Sequence, residues 1–465
     1  MSSESHMSCG CAEYEALERR QWLQAAGRLG ALAMLSAPAW MPKFAFASGS
    51  PAPLERDLLI VVFLRGGADG LTLCVPFADP FYASSRGFLA IPAPDSAAPL
   101  RAIDLNGFFG LPPALASLKP IYDAGHLAVV HAAGNPSGVR SHFNDQDRME
   151  LATPTPTAGS SGWLARHLLS YSSAADRLRG ITMNYSVARA LAGAPAAVAL
   201  PSDSYGLLGS TSTDVERREF LEQAYLRADP LLGTNAGYIL TALNSLNNAD
   251  WPNRGDQLAV SGFSDLGGSM SGDGMMSGMG SMSDDPAGTM LRTGAPAYPN
   301  NPWGRSFRMV ADVAKAQVGM EAACIDLNGW DTHVGQGATA GYLHSIMITL
   351  GQCMEAFYLD MQAMLGRFTM VVMSEFGRQL APNTSGGSDH GTGGAMFVMG
   401  GNVNGGQIFT SWPGLHPDQL NEQLDLAITT DYRDVLAEIL VKRAGNISLP
   451  TVFPGFTPTF RGIIR

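Results

Sequence analysis

Leu58-Leu59-Ile60-Val61-Val62-Phe63-Leu64 is an unbroken apolar run closed by Arg65-Gly66-Gly67. A strand with one wet face would alternate, so a continuous run predicts a strand buried on both sides. The pattern recurs at residues 127–131, 322–327, 368–373 and 395–399, each ending at polar or glycine-rich positions. Residues 341–365 and 431–442 instead repeat apolar positions at helical spacing. Short buried strands alternating with helices predict an α/β protein, a three-layer α/β/α sandwich around a mainly parallel central sheet. In such sheets ligands collect at the carboxyl ends of the strands.

Two stretches break the alternation. Residues 202–302 mix helical segments with a Gly/Ser/Met stretch at 267–290, which reads as an insertion or cap carrying a loop. Met276, Met279 and Met282 fall every third residue beside Met270 and Met275, a thioether set able to attract copper in an exported protein, although the same composition describes a plain low-complexity loop. At the start, Glu18-Arg19-Arg20-Gln21-Trp22-Leu23 precedes an apolar run at 29–41 and then Ala45-Phe46-Ala47. That run is shorter than the ~20 residues of a spanning helix, and the small-x-small step suits a peptidase. Residues 1–47 therefore read as a cleaved export signal, with Pro38 and Pro42 arguing against an amphipathic helix. The arginine pair resembles a twin-arginine signal, which makes the export machinery a partner and the mature protein, residues 48–465, periplasmic or secreted.

Composition narrows the function. Acidic residues outnumber basic ones by 41 to 30, and residues 1–47 carry four of each sign, so the net charge of −11 survives processing. That charge argues against nucleic acid as a partner, and no later apolar stretch is long enough to predict stable membrane insertion. Cys9 and Cys11 leave with the signal, and Cys74, Cys324 and Cys353 allow at most one disulfide.

Four segments carry candidate chemistry, each just beyond an apolar run or ahead of one. Asp69, in Arg65-Gly66-Gly67-Ala68-Asp69-Gly70-Leu71, stands where a strand-end carboxylate could hold a cation, though Asp-Gly also makes ordinary turns. In Arg140-Ser141-His142, Ser141 is placed at a helix start, where free amides favour a phosphate or sulfate group beside a hydroxyl nucleophile. Arg140 could clamp that group, and His142 could bind a metal or move a proton; Ser is equally a preferred N-cap. Asp331 and His333 share a face of an extended segment and can converge on one ion, whereas His344 reads as a packing or surface residue. Glu375 and Arg378 emerge at a strand end, and adjacent Asp389 and His390 offer an oxygen and an imidazole.

Together these segments resemble the DUF1501 family of exported proteins. The arginine-pair leader, FLRGGADGL, NPSGVRSHF, GWDTH, SEFGR and SDHGTGG stand in the order that family shows. The resemblance implies an alkaline-phosphatase-like fold, related to the phosphatase and sulfatase superfamily, with one or two divalent metals and a hydroxyl nucleophile at a helix start. Carried over, Asp69 looks like the first metal aspartate, Asp389 and His390 like the late Asp-His pair, Asp331 and His333 like the remaining ligands at a closer spacing than usual, and Ser141 like the nucleophile. His416 is the sole candidate for a final downstream histidine. Cys74-Val75-Pro76-Phe77-Ala78 lacks the arginine that formylglycine formation requires, which disfavours that chemistry.

The reading is an exported metal-dependent hydrolase or transferase acting on a small anionic phosphate or sulfate ester. Zinc, manganese or calcium would be bound by Asp69, Asp331, His333, Asp389 and His390, with Ser141, Arg140, His142, Glu375 and Arg378 catalytic. The competing reading is a non-catalytic binding or assembly protein with a decayed site and a copper contact through the Met-rich loop.

Overall fold

The computed structural model describes residues 57–153, 160–170, 179–194, 197–200, 297–316 and 319–465. The segments read as an export signal (1–47) and a Met-rich loop (267–290), and nearly all of the stretch read as an insertion (202–302), lie outside the described residues. A nine-stranded sheet organises the described chain. Its members are β1 (Leu58–Arg65), β4 (Leu127–Gly134), β5 (Gly180–Thr182), β6 (Ala197–Ala199), β7 (Ala322–Asn328), β8 (Phe368–Ser374), β9 (Gly394–Met399), β10 (Ile408–Phe409) and β11 (Thr430–Asp431). The order is β10-β4-β9-β8-β1-β7-β5-β6, with β11 also pairing β4; β2 (Ile103–Asp104) and β3 (Gly110–Leu111) form a separate ribbon.

β1 shows why the sheet must be covered twice. Leu58, Ile60, Val62 and Leu64 pack into one core with α3 (Pro302–Lys315) and α4 (Tyr342–Asp360). The alternate residues Leu59, Val61 and Phe63 pack into a second core with α1 (His142–Leu151), α2 (Trp163–Ser170) and α5 (Tyr432–Lys442). With period-2 side chains buried on both faces, both sides of the strand must be covered, and helices lie on each. The result is the three-layer α/β/α arrangement the sequence predicts.

β1 runs parallel to β7 and β8, and β9 alone runs against its neighbours β4 and β8. The sheet is therefore mainly parallel, with one reversal near its middle. That reversal has a local effect: the chain entering β9 lies at the same edge as the chains leaving β1, β4, β7 and β8. All four candidate segments consequently meet at one edge. Cys74, Cys324 and Cys353 are buried and free, so they form no disulfide with one another. Among the described residues no helix is long and apolar enough to cross a membrane.

Candidate metal centre

The loops at this edge interlock through glycines. Gly66, at φ +125°, packs its α-carbon against the backbone of Asp331, and a Cβ there would collide with it. Gly391 likewise lies on the backbone of Arg378. Such approach is open only to residues without side chains, which accounts for the glycines flanking the candidate residues.

His142, Asp331 and His390 bring one ligand atom each to within 4.8 Å of one another, the one group of metal-ligating type that clusters this way among the described residues. His142 comes from the first turn of α1, Asp331 from the loop after β7, and His390 from the loop before β9. His333 adds a fourth donor, with Nε2 lying 2.9 Å from His390 Nε2 and 3.2 Å from Asp331 Oδ1.

The outer nitrogens define the state of the rings. His390 Nδ1 lies 2.9 Å from the Arg140 carbonyl, which can only accept, so Nδ1 donates. His333 Nδ1 donates to Asp389 Oδ1 at 2.9 Å, and His142 Nδ1 donates to Glu375 Oε1 at 2.8 Å. In the neutral rings every Nε2 is then a lone pair, and all three point toward Asp331. Lone pairs facing one another and a carboxylate repel unless a cation or extra protons lie between them. His142 Nε2 is buried without a hydrogen-bond partner and stands 3.5 Å from Asp331 Oδ2.

The charges agree with the geometry. Asp331, Glu375 and Asp389 all contact these rings, and Arg378 pairs with Asp331; three carboxylates and that one guanidinium leave two negative charges in excess with neutral imidazoles. Burial works against ionised Asp331, yet its contacts with His142, His333, His390 and Arg378 hold it far below the usual carboxylate range. Burial also opposes ionised Glu375, but bonds from His142 and Gln146 keep it low. Burial likewise disfavours charged His142, while Asp331 and Glu375 overcome it and push its pKa up to about 9. A field that holds a proton at this nitrogen would hold a cation there.

Other candidate residues support the centre from behind. Glu375 is fully buried, and Oε1 accepts from Gly66 N, His142 Nδ1 and Gln146 Nε2, each at 2.8 Å. Asp389 accepts from His333 and, at 3.0 Å, from Asn383 Nδ2. Both carboxylates orient imidazoles, the arrangement that fixes tautomer and ring angle in metal-binding histidines. Arg378 donates to the carbonyls of Gly66, Gly67, Trp330 and Ser388 and to Asp331 Oδ1 at 2.6 Å. Its guanidinium is thereby committed to the protein rather than presented to an ester.

Three expectations look different in place. Asp69 sits apart from the converging atoms: it is buried in an ion pair with Arg86 and accepts from Thr72 Oγ1 at 2.8 Å and Gln336 Nε2 at 2.6 Å. Ser141 occupies the N-cap of α1 but makes no capping bond; Asp145 takes the amides of Val139 and Ser141 instead, at 3.0 and 3.1 Å. Asp145 thus places a carboxylate, rather than the Ser141 hydroxyl, against the backbone entering the helix. Arg140, at φ +58°, turns its carbonyl to His390 while its guanidinium pairs with Glu422 and Asp425 at 2.7 and 2.8 Å. It lines a cleft of about 400 Å³ with Asn135, Val139, Thr392, Asn421 and Ile428. His416 caps the short 3₁₀ helix Pro417–Gln419 and His344 is partly buried on α4; no contact ties either to the cluster. Sequence reasoning missed Gln336, Asn383 and Gln146, since an isolated amide in a loop or helix carries no periodic or spacing signal.

The family model for DUF1501, described as a protein of unknown function, matches residues 240–444. The matched span contains Asp331, His333, Glu375, Arg378, Asp389 and His390, and stops short of His142. A search of curated proteins returns no match.

Proposed function

This chain belongs to the DUF1501 family, and we propose that it is an exported metal-dependent hydrolase or transferase acting on a phosphate or sulfate ester. The observation carrying this reading is the convergence of imidazole Nε2 lone pairs on Asp331 while every Nδ1 is held by an acceptor. His142, Asp331 and His390 would hold the ion. Imidazole-rich sites suit zinc and its transition-metal neighbours, whereas calcium prefers an all-oxygen shell, so among zinc, manganese and calcium the donor set favours zinc. Three protein ligands also match the count of catalytic zinc sites. When bound, the ion would supply positive charge to polarise the ester oxygen.

The chain's own residues supply the rest. His333, with Asp389 behind Nδ1, is built to take a proton at Nε2 from an attacking water or alcohol, and Asp389 would stabilise the imidazolium. Glu375 holds the His142 ring, and Arg378 holds Asp331. The cleft beside Arg140 would receive the remainder of the ester. Ser141 stays the candidate for a covalent route, although the Asp145 carboxylate on its amide opposes an anion there.

Metal analysis of purified protein by mass spectrometry should find about one zinc per chain and turnover of an aryl phosphate or aryl sulfate. His142→Ala and His390→Ala should lose both metal and activity. His333→Asn should keep the metal and lower kcat by roughly 10²–10⁴-fold. Full turnover by metal-stripped protein would sink the reading. One observation favours a metal-holding protein without turnover: the Arg140 and Arg378 guanidiniums are both already paired with carboxylates. Stoichiometric zinc with no hydrolysis of any ester tested would select that alternative.

A further inference from the structure

Gln336 makes no hydrogen bond to the converging donors, yet the loops that carry Asp331 and His390 both hang from it. The residue is fully buried in the chain following His333. Its Oε1 accepts from Thr332 Oγ1 at 3.0 Å and from Ser388 Oγ at 2.5 Å. Thr332 lies between Asp331 and His333, and Ser388 precedes Asp389 and His390. Its Nε2 donates to Asp69 Oδ2 at 2.6 Å, and Asp69 is fixed in turn by the buried Arg86. Its backbone is also spoken for, with N donating to Gly386 O at 3.0 Å and O accepting from Leu343 N at 2.9 Å.

We propose that Gln336, anchored on the Asp69–Arg86 pair, is a positioning residue that sets the spacing between the Asp331–His333 loop and the Asp389–His390 loop and so tunes the metal affinity of the proposed centre. The inference rests on the metal reading above. A side-chain amide suits the post because its oxygen has two lone pairs for two hydroxyls, while its nitrogen can satisfy a buried carboxylate. Nothing smaller or apolar could do both. Buried hydroxyls deprived of that oxygen would turn to other acceptors and carry their loops with them. The same geometry gives Asp69 a role away from the ion: it is the fixed end of the chain Asp69–Gln336–Ser388/Thr332.

The test uses full-length protein, zinc and cobalt(II). Gln336→Met keeps the length of the side chain and removes all three bonds; Ser388→Ala removes one. Competition with a chromophoric chelator should show zinc affinity falling roughly 10–100-fold in Gln336→Met and less in Ser388→Ala. The visible d–d absorption of the cobalt(II) form should shift in both variants. A core variant remote from the site, Leu440→Ala, should lower stability while leaving that spectrum unchanged, which separates positioning from mere loss of stability. Folded Gln336→Met with wild-type affinity and spectrum would overturn the inference alone. Wild-type protein that binds neither ion would overturn the metal reading and the inference with it. Should Gln336→Met not fold, an unaltered spectrum in Ser388→Ala would decide against the proposal.

Discussion

His131 and His142 show how neighbours decide what a buried imidazole does. His131 lies within β4, fully buried, with Nε2 donating to Cys74 O at 2.8 Å and Nδ1 accepting from Ala132 N at 2.8 Å. Burial lowers its pKa to about 4, whereas the carboxylates beside His142 drive that ring the other way. An unfolded histidine takes a proton below about pH 6.5, and native His131 resists until about pH 4. Between those values the unfolded state binds the extra proton, so the contribution is intact above pH 6.5 and is lost as pH falls, by up to about 3 kcal/mol. Urea unfolding of wild type and His131→Gln between pH 7 and pH 4 should show the variant losing less stability across that window; parallel curves would refute it. The site residues were legible by type and place, since Asp331, His333, Glu375 and His390 all follow or precede apolar runs. Their division of labour was not. Whether a carboxylate grips an ion or steadies an imidazole depends on which atoms face which, and Asp69 finds its partner Arg86 in a stretch without any pattern.

At the scale of elements, the site depends on turns that let one loop lie on another. Gly66 combines a left-handed φ with direct backbone contact to Asp331. Gly66→Ala should cost about 3 kcal/mol, from backbone strain together with forced separation of the two loops. Gly107 gives the control: its φ is +79° but nothing lies within 4 Å of a Cβ built there, so Gly107→Ala should cost only about 1 kcal/mol. Equal shifts in the urea midpoints of the two variants would remove the role given to loop contact. The five long strands and the helices α4 and α5 were readable because their periods run for several residues. β5, β6, β10 and β11 span two or three residues each, too few to display a period. The direction of β9 was likewise hidden, since a continuous apolar run looks the same in either sense.

Across the whole molecule, one core covers each face of the sheet, and the proposed ion would tie together parts of the chain that are distant in sequence. Its ligands come from the first turn of α1, the loop after β7 and the loop before β9. An ion bound to the native state alone, at free concentrations of 100 times Kd, would add about 2.7 kcal/mol. Stripping the metal with a chelator and dialysing should therefore lower Tm, and adding zinc back should restore it. In His142→Ala the chelator should change Tm little. A wild-type Tm indifferent to both treatments would show that no such tie exists.

The placement of β9 also dictates a timetable for the chain's manufacture. β4 and β8 never pair with each other; β9 fills the space between them. A ribosome delivers β4 by residue 134 and does not begin β9 until residue 394. Through that interval β4 waits with its backbone donors and acceptors unpaired along both edges, and its later partners β10 and β11 arrive after β9. Exposed edges of this kind invite pairing with the wrong strand. The sheet can close only when nearly the entire polypeptide has been made, and the histidine just ahead of β9 arrives with the strand that completes it.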